Sequence, residues 1–196
     1  MLRHLSVRKG ILAATIAGTT ALGAVGAGYA VLAPVHHAEA AESSYTQKLV
    51  LQNLNSFYKP ALKGKFPGDM NAYTVGKTTR DEVLDRLGAA EVPRKNASGY
   101  DQYTANMGHP GYAFHYNKNN VLNEIRYFGT NVERQTNIGG ITMKLLRQQW
   151  YAPASTTTIG SGANKQTKMT YIRGDYKLEF IFNSSTDLDH INLIKA

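Results

Sequence analysis

The stretch that decides the fold reads Val75-Gly76-Lys77-Thr78-Thr79-Arg80-Asp81-Glu82-Val83-Leu84-Asp85-Arg86-Leu87-Gly88. Thr79 and Glu82 stand three apart, the spacing of a capping box. The threonine hydroxyl accepts from the N3 amide while the glutamate reaches back to the cap amide. Asp81 and Glu82 also meet the positive end of the helix dipole. Val83, Leu84 and Leu87 form the apolar stripe, and Gly88 suits a helix exit that needs positive φ. The stretch therefore predicts a short helix of about two turns.

Outward from this helix the hydrophobic period changes to two. Tyr100–Ala105, Gly111–Asn117 and Val121–Phe128 read as strands, with Asn117-Lys118-Asn119-Asn120 as a tight hairpin turn. The pattern then recurs. Ile138-Gly139-Gly140-Ile141-Thr142 and the run to Trp150 overlay the first helix at an offset of 63 residues, pairing Val75 with Ile138, Thr79 with Thr142, Val83 with Leu146 and Leu87 with Trp150. Lys168–Arg173, Tyr176–Phe182 and Leu188–Ile194 follow as strands, with Ile191 matching Ile125 at an offset of 66 and Asn183–Asp187 as a connecting turn. Thr156–Gly162 reads as a Thr/Ser/Gly-rich loop. Ahead of both units, Ser44–Ala61 has helical spacing, with Ser44 as its cap and Pro60 near its end.

These patterns predict an α+β protein in which two tandem helix–three-strand repeats form an antiparallel sheet, with the helices on one face and an N-terminal helix in front. The expected segments are 1–40 as signal peptide, 41–72 as N-terminal helix and loop, 73–132 as the first repeat and 133–196 as the second. The signal rests on Arg3, Arg8 and Lys9, an uncharged run from Gly10 to Leu32, and Ala38-Glu39-Ala40 as a cleavage site after Ala40. The expected location is extracellular or cell-wall associated, with no membrane span after cleavage. The alternative is anchoring by an uncleaved N-terminal segment.

The 196 residues carry a net charge of +8 and no cysteine. Disulfide scaffolds, Cys-ligated metal sites and thiol chemistry are excluded. Loss of Met1–Ala40 removes Arg3, Arg8, Lys9 and Glu39 and leaves +6. A basic exported chain suits anionic wall polymers or envelope proteins, and nucleic acid is a poor partner for it. His109, His115 and His190 have no metal-ligand spacing, and Asp187-x-Asp189 lacks the glycine and glutamate of a calcium loop. Gly139-Gly140 before a helix lacks the lysine of a phosphate loop. No catalytic, cofactor-binding or metal residue is assigned, and the chain is read as a non-enzyme.

Four motifs carry a family resemblance. They are Val75-Gly76-Lys77-Thr78-Thr79 with Glu82-Val83, Phe114-His115-Tyr116-Asn117-Lys118, Asn123-Glu124-Ile125-Arg126 and Leu188-Asp189-His190-Ile191. Over residues 45–196 the chain resembles the YjgB family of uncharacterised secreted Gram-positive proteins. More remotely it resembles the BamE-like and beta-lactamase-inhibitor-protein-like superfamily. The resemblance implies a two-repeat α+β fold with a concave sheet and no particular activity. It departs at Gly88-Ala89-Ala90, which lacks the proline expected after the first helix, and at Tyr151, which stands where the second unit should have glycine.

The excess of strand tyrosines predicts an aromatic binding face on the side of the sheet away from the helices. Tyr103, Tyr112, Tyr116 and Tyr127 are the expected anchors, with Arg126 and Arg173 adding charge. The expected function is binding at the cell envelope, to a protein or an anionic wall polymer. Inhibition of an extracellular enzyme is the alternative, followed by a wall-acting hydrolase.

Overall fold

The computed structural model describes residues 35–196, with side chains from Ser43 onward. The expected signal segment thus lies almost wholly outside the described residues. The first element, α1, spans Val35–Ser56, and a short helix α2 follows over Tyr58–Ala61. Ser44 lies inside α1 and does not cap it. The single helix expected over Ser44–Ala61 is broken at Phe57. Pro60 explains the break, because it has no N–H to give the Ser56 carbonyl and its ring crowds that oxygen.

The helix α3, Arg80–Leu87, has the capping box foreseen for it: the Thr79 amide donates to Glu82 Oε2 at 2.7 Å and the Glu82 amide donates to Thr79 Oγ1 at 3.3 Å. Of its apolar stripe only Val83 is buried, while Leu84 is half-buried and Leu87 is exposed. The second short helix, α4, spans Met143–Trp150, with Thr142 accepting from the Leu145 amide. It buries Leu146 and Trp150.

Among the described residues, seven strands build one antiparallel sheet. They are β1 (Asp101–Tyr103), β2 (Gly111–Tyr116), β3 (Leu122–Gly129), β4 (Ser155–Ile159), β5 (Gln166–Arg173), β6 (Tyr176–Ser184) and β7 (Asp187–Lys195). Their order is β1-β2-β3-β7-β6-β5-β4, so the strands of the two expected halves meet at the central β3–β7 pair. The β2–β3 turn is closed by Asn117, whose Oδ1 accepts from the amides of Asn119 and Val121, with Asn120 at φ 57°. Strand β4 replaces the loop expected over Thr156–Gly162. It is an edge strand with both faces open to solvent, so its threonines need no apolar alternation. The second half therefore carries four strands after its helix rather than three.

The core lies on the side of the sheet that faces the helices. Phe57, at the break between α1 and α2, meets Phe66 and Tyr127 at ring-centroid distances of 5.5 and 5.3 Å. Trp150 of α4 meets Tyr171 and Phe180 edge-on at 5.6 and 5.4 Å. Burial of each such ring contributes about 1.5–3 kcal/mol. Gly139 and Gly140 have a packing role. A Cβ on Gly140 would overlap Val50 of α1 and the Gln135 carbonyl oxygen, so the bare Cα lets α1 lie close. Among the described residues no helix is long and apolar enough to cross a membrane.

Candidate binding face of the sheet

Strand residues alternate between two faces. The positions pointing away from the core line up across all seven strands. Gln102, Ala113, Arg126, Asn192, Glu179, Thr170 and Ser155 are successive register partners from β1 to β4. Beside this row run His115, Glu124, Ile194, Lys177 and Ile172, also in register. The face is thus polar along its middle, with Ile172 exposed near one edge.

Two ion-pair clusters fix this face. In the first, Arg126 Nε donates to Glu124 Oε1 at 2.7 Å and Nη2 donates to the Tyr100 hydroxyl at 2.5 Å. That hydroxyl donates to Glu124 Oε2 at 2.9 Å, and the guanidinium lies 4.1 Å from the Tyr100 ring centre. Burial, reinforced by the Glu124 charge, pushes the Tyr100 hydroxyl up to about 12. In the second cluster the Glu179 carboxylate receives Lys168 at 3.2 Å and Lys177 at 4.0 Å. Glu179 is 7% exposed and Asn192 beside it is 6% exposed. The Oδ1 of Asn192 is buried without a hydrogen-bond donor among the described residues. An unsatisfied buried acceptor costs about 1–3 kcal/mol until something donates to it.

The structure separates the residues expected to form one aromatic face. Arg126 and Tyr127 are consecutive and must point to opposite sides. Only Arg126 lies on the outward face. Tyr116 and Tyr127 are buried in the core, in the same alternation as Phe114 and Ile125. Tyr103 and Tyr112 are half-buried and pack against that core, and with Tyr127 they line a cleft on the helix side. The exposed aromatic face is therefore corrected: these tyrosines cover the apolar layer under the helices. Arg173 is also buried, stacked 4.3 Å from the Tyr58 ring centre and 4.6 Å from that of Trp150. Burial lowers its pKa, opposed by the nearby Tyr58 and Tyr171.

Sequence reasoning missed Glu124, Lys168, Lys177, Glu179, Asn192 and Tyr100. The signal was present: Lys168 and Thr170, Lys177 and Glu179, and His190 and Asn192 each sit two apart, in the set opposite the apolar residues. His190 Nδ1 lies 2.5 Å from Asp189 Oδ2, and this hydrogen bond is the main cause holding the Asp189 carboxyl below its ordinary value. No group of three or more potential metal ligands is found among the described residues.

An antiparallel sheet with helices on one side and a polar outward face defines a mixed α/β protein. Residues 54–194 match the family described as "Domain of unknown function (DUF4309)", and the chain belongs to that family. It is 34% identical over 151 residues to the uncharacterized protein YjgB of Bacillus subtilis (strain 168), covering 77% of this chain and 78% of that one. The crystal structure of YjgB from Bacillus subtilis superposes with a TM-score of 0.71, covering 76% of this chain and 99% of that chain. An extracellular protein containing a SCP domain from Bacillus anthracis str. Ames matches at a TM-score of 0.42 with 11% identity, over 62% of this chain and 44% of that one.

Proposed function

We propose that this chain is an extracytoplasmic, non-catalytic binding module whose outward sheet face docks on a protein of the cell envelope. The observation that carries the reading is the polar row across all seven strands, fixed by two ion-pair clusters around the undonated Asn192 Oδ1. Its cations already have carboxylate partners, Arg126 with Glu124 and both lysines with Glu179. A polyanion would compete with those built-in acids. A folded partner can donate to Asn192 and cover Ile172, which is 48% exposed. The carboxylates of the face are committed to pairing, which supports a binding role over general acid–base work. The basic segment and small-residue motif within Met1–Ala40 support export.

A duplicated origin is part of this reading. Arg126 and Asn192, 66 residues apart, stand directly opposite in the central strand pair. Thr79 and Thr142 both cap, and Gly88 and Tyr151 leave their helices with similar backbone angles. These correspondences support two related halves meeting at the middle of the proposed interface.

The test is a pull-down from the producing organism's envelope with the purified chain, at low and high salt, beside an Arg126→Ala/Ile172→Asp variant. A defined protein retained at both salts and lost in the variant supports the reading. Wall polymer retained only at low salt would replace it with screened electrostatic association.

A further inference from the structure

On the opposite side of the sheet, a cleft of about 600 Å³ opens between the end of α1, the 3-10 turn Gly68–Ala72 and the ends of β1 and β2. Its volume falls within the range of about 300–1,000 Å³ usual for small-ligand sites. Tyr103, Tyr112 and Tyr127 form its aromatic wall, and Asn53 and Asp69 lie along it.

The polar groups of this wall divide into used and unused. The Tyr103 hydroxyl donates to the Gly88 carbonyl at 2.9 Å, and the Tyr127 hydroxyl donates to Asn137 Oδ1 at 3.0 Å. Asn53 Nδ2 is buried with no acceptor among the described residues. The Tyr112 hydroxyl is held far above its ordinary value, first by burial, then by Tyr127 and Asp69, and no hydrogen bond offsets this. In a chain of +8, the lining contains no lysine or arginine, and Asp69 is its one carboxylate.

The chemistry of the occupant follows by elimination. An anion finds no lysine or arginine in the lining, only the His109 imidazole, and meets the Asp69 carboxylate. A simple cation satisfies Asp69 but leaves the Asn53 amide without an acceptor. A purely apolar ligand leaves the buried Asn53 Nδ2 unpaired, at a cost, and offers nothing to the exposed Asp69 at the rim. A neutral sugar satisfies all three demands. Its C–H face packs on the negative face of an aromatic ring, and its hydroxyls accept from Asn53 Nδ2, donate to Asp69 and pair with the Tyr112 hydroxyl.

We propose that this cleft binds a neutral saccharide unit, stacked on Tyr112 and hydrogen-bonded by Asn53 and Asp69. The site lies on the face opposite the proposed protein interface, so either can fail without the other. The experiment is saturation-transfer NMR and calorimetric titration of the purified chain with chitotriose and maltotriose as neutral probes and trigalacturonate as the anionic control. Saturable binding of at least one neutral trisaccharide, with trigalacturonate silent, is the expected result. Tyr112→Ala and Asn53→Leu should each weaken it by about tenfold or more, which corresponds to about 1.4 kcal/mol. Tyr112→Phe keeps the ring packing and should weaken it several-fold without lowering the melting temperature. Lys118→Glu, in the exposed β2–β3 turn and outside the cleft, should leave it unchanged. Binding by neither neutral probe, equal binding of trigalacturonate, or wild-type affinity in both Tyr112→Phe and Asn53→Leu would overturn the proposal.

Discussion

Tyr151 holds a backbone conformation that its side chain disfavours. Its φ of 62° and ψ of −158° are close to those of Gly88, which leaves α3 at φ 79° and ψ −170°. This region is essentially reserved for glycine and costs other residues about 1–3 kcal/mol. Its side chain is 81% exposed, so little packing is lost when it is removed. Tyr151→Gly should raise stability by about 1 kcal/mol in urea unfolding, because the carbonyl that accepts from the Tyr171 hydroxyl at 3.1 Å remains. Asp101 presents the opposite case. Its carboxylate is fully buried, with Arg80 Nε donating at 2.7 Å and the Arg94 amide donating at 2.9 Å. Burial pushes the carboxyl up, but the Arg80 ion pair and the Arg94 amide outweigh it and hold it below the ordinary 3.8. A depressed carboxylate stabilises the fold above its unfolded value and loses that contribution as pH falls through the folded one. Asp101→Asn should cost about 3 kcal/mol at neutral pH. Acid unfolding should show the difference between the two proteins shrinking once pH drops below the ordinary carboxylate range.

At the scale of elements, packing of α1 depends on a bare Cα. Gly140→Ala should destabilise the chain by about 1–3 kcal/mol, since both obstacles, the Gln135 carbonyl and the Val50 side chain, lie in packed elements. A calorimetric scan showing an unchanged melting temperature would contradict this close approach. Helix and strand signals differed in how readily they could be read. The box of Thr79 and Glu82 is local chemistry, and six strands announced themselves through period-two alternation of large apolar residues. Strand β4 did not, because an edge strand with two wet faces has no buried set to mark it. The stop at Ser56 was written in Pro60, four residues on. The orientation of the tyrosines was the larger miss. Tyr112, Phe114 and Tyr116 share one parity in β2, and Tyr127 shares the parity of Ile125 in β3, so their place beneath the helices was legible. A tyrosine's hydroxyl invites an exposed reading, yet its ring buries as readily as that of phenylalanine when the hydroxyl is tolerated. The cluster around Glu179 needed the register of β5, β6 and β7, and alternation within one strand does not supply register.

For the whole molecule, the sheet joins its two halves through β3 and β7 and separates two chemistries. One face is apolar and lies under the helices. The other carries paired charges around Asn192, with Ile172 open near the β5 edge. The central claim is that this second face is where a partner sits. Site-specific photo-crosslinking tests it most directly, with a photoreactive residue placed at Ile172 or Lys177 and, for comparison, at the exposed Gln149 of α4. Cross-linking in the producing organism should give one discrete protein adduct from Ile172 and Lys177 and none from Gln149. Equal adducts from all three positions, or adducts from Gln149 alone, would contradict the account.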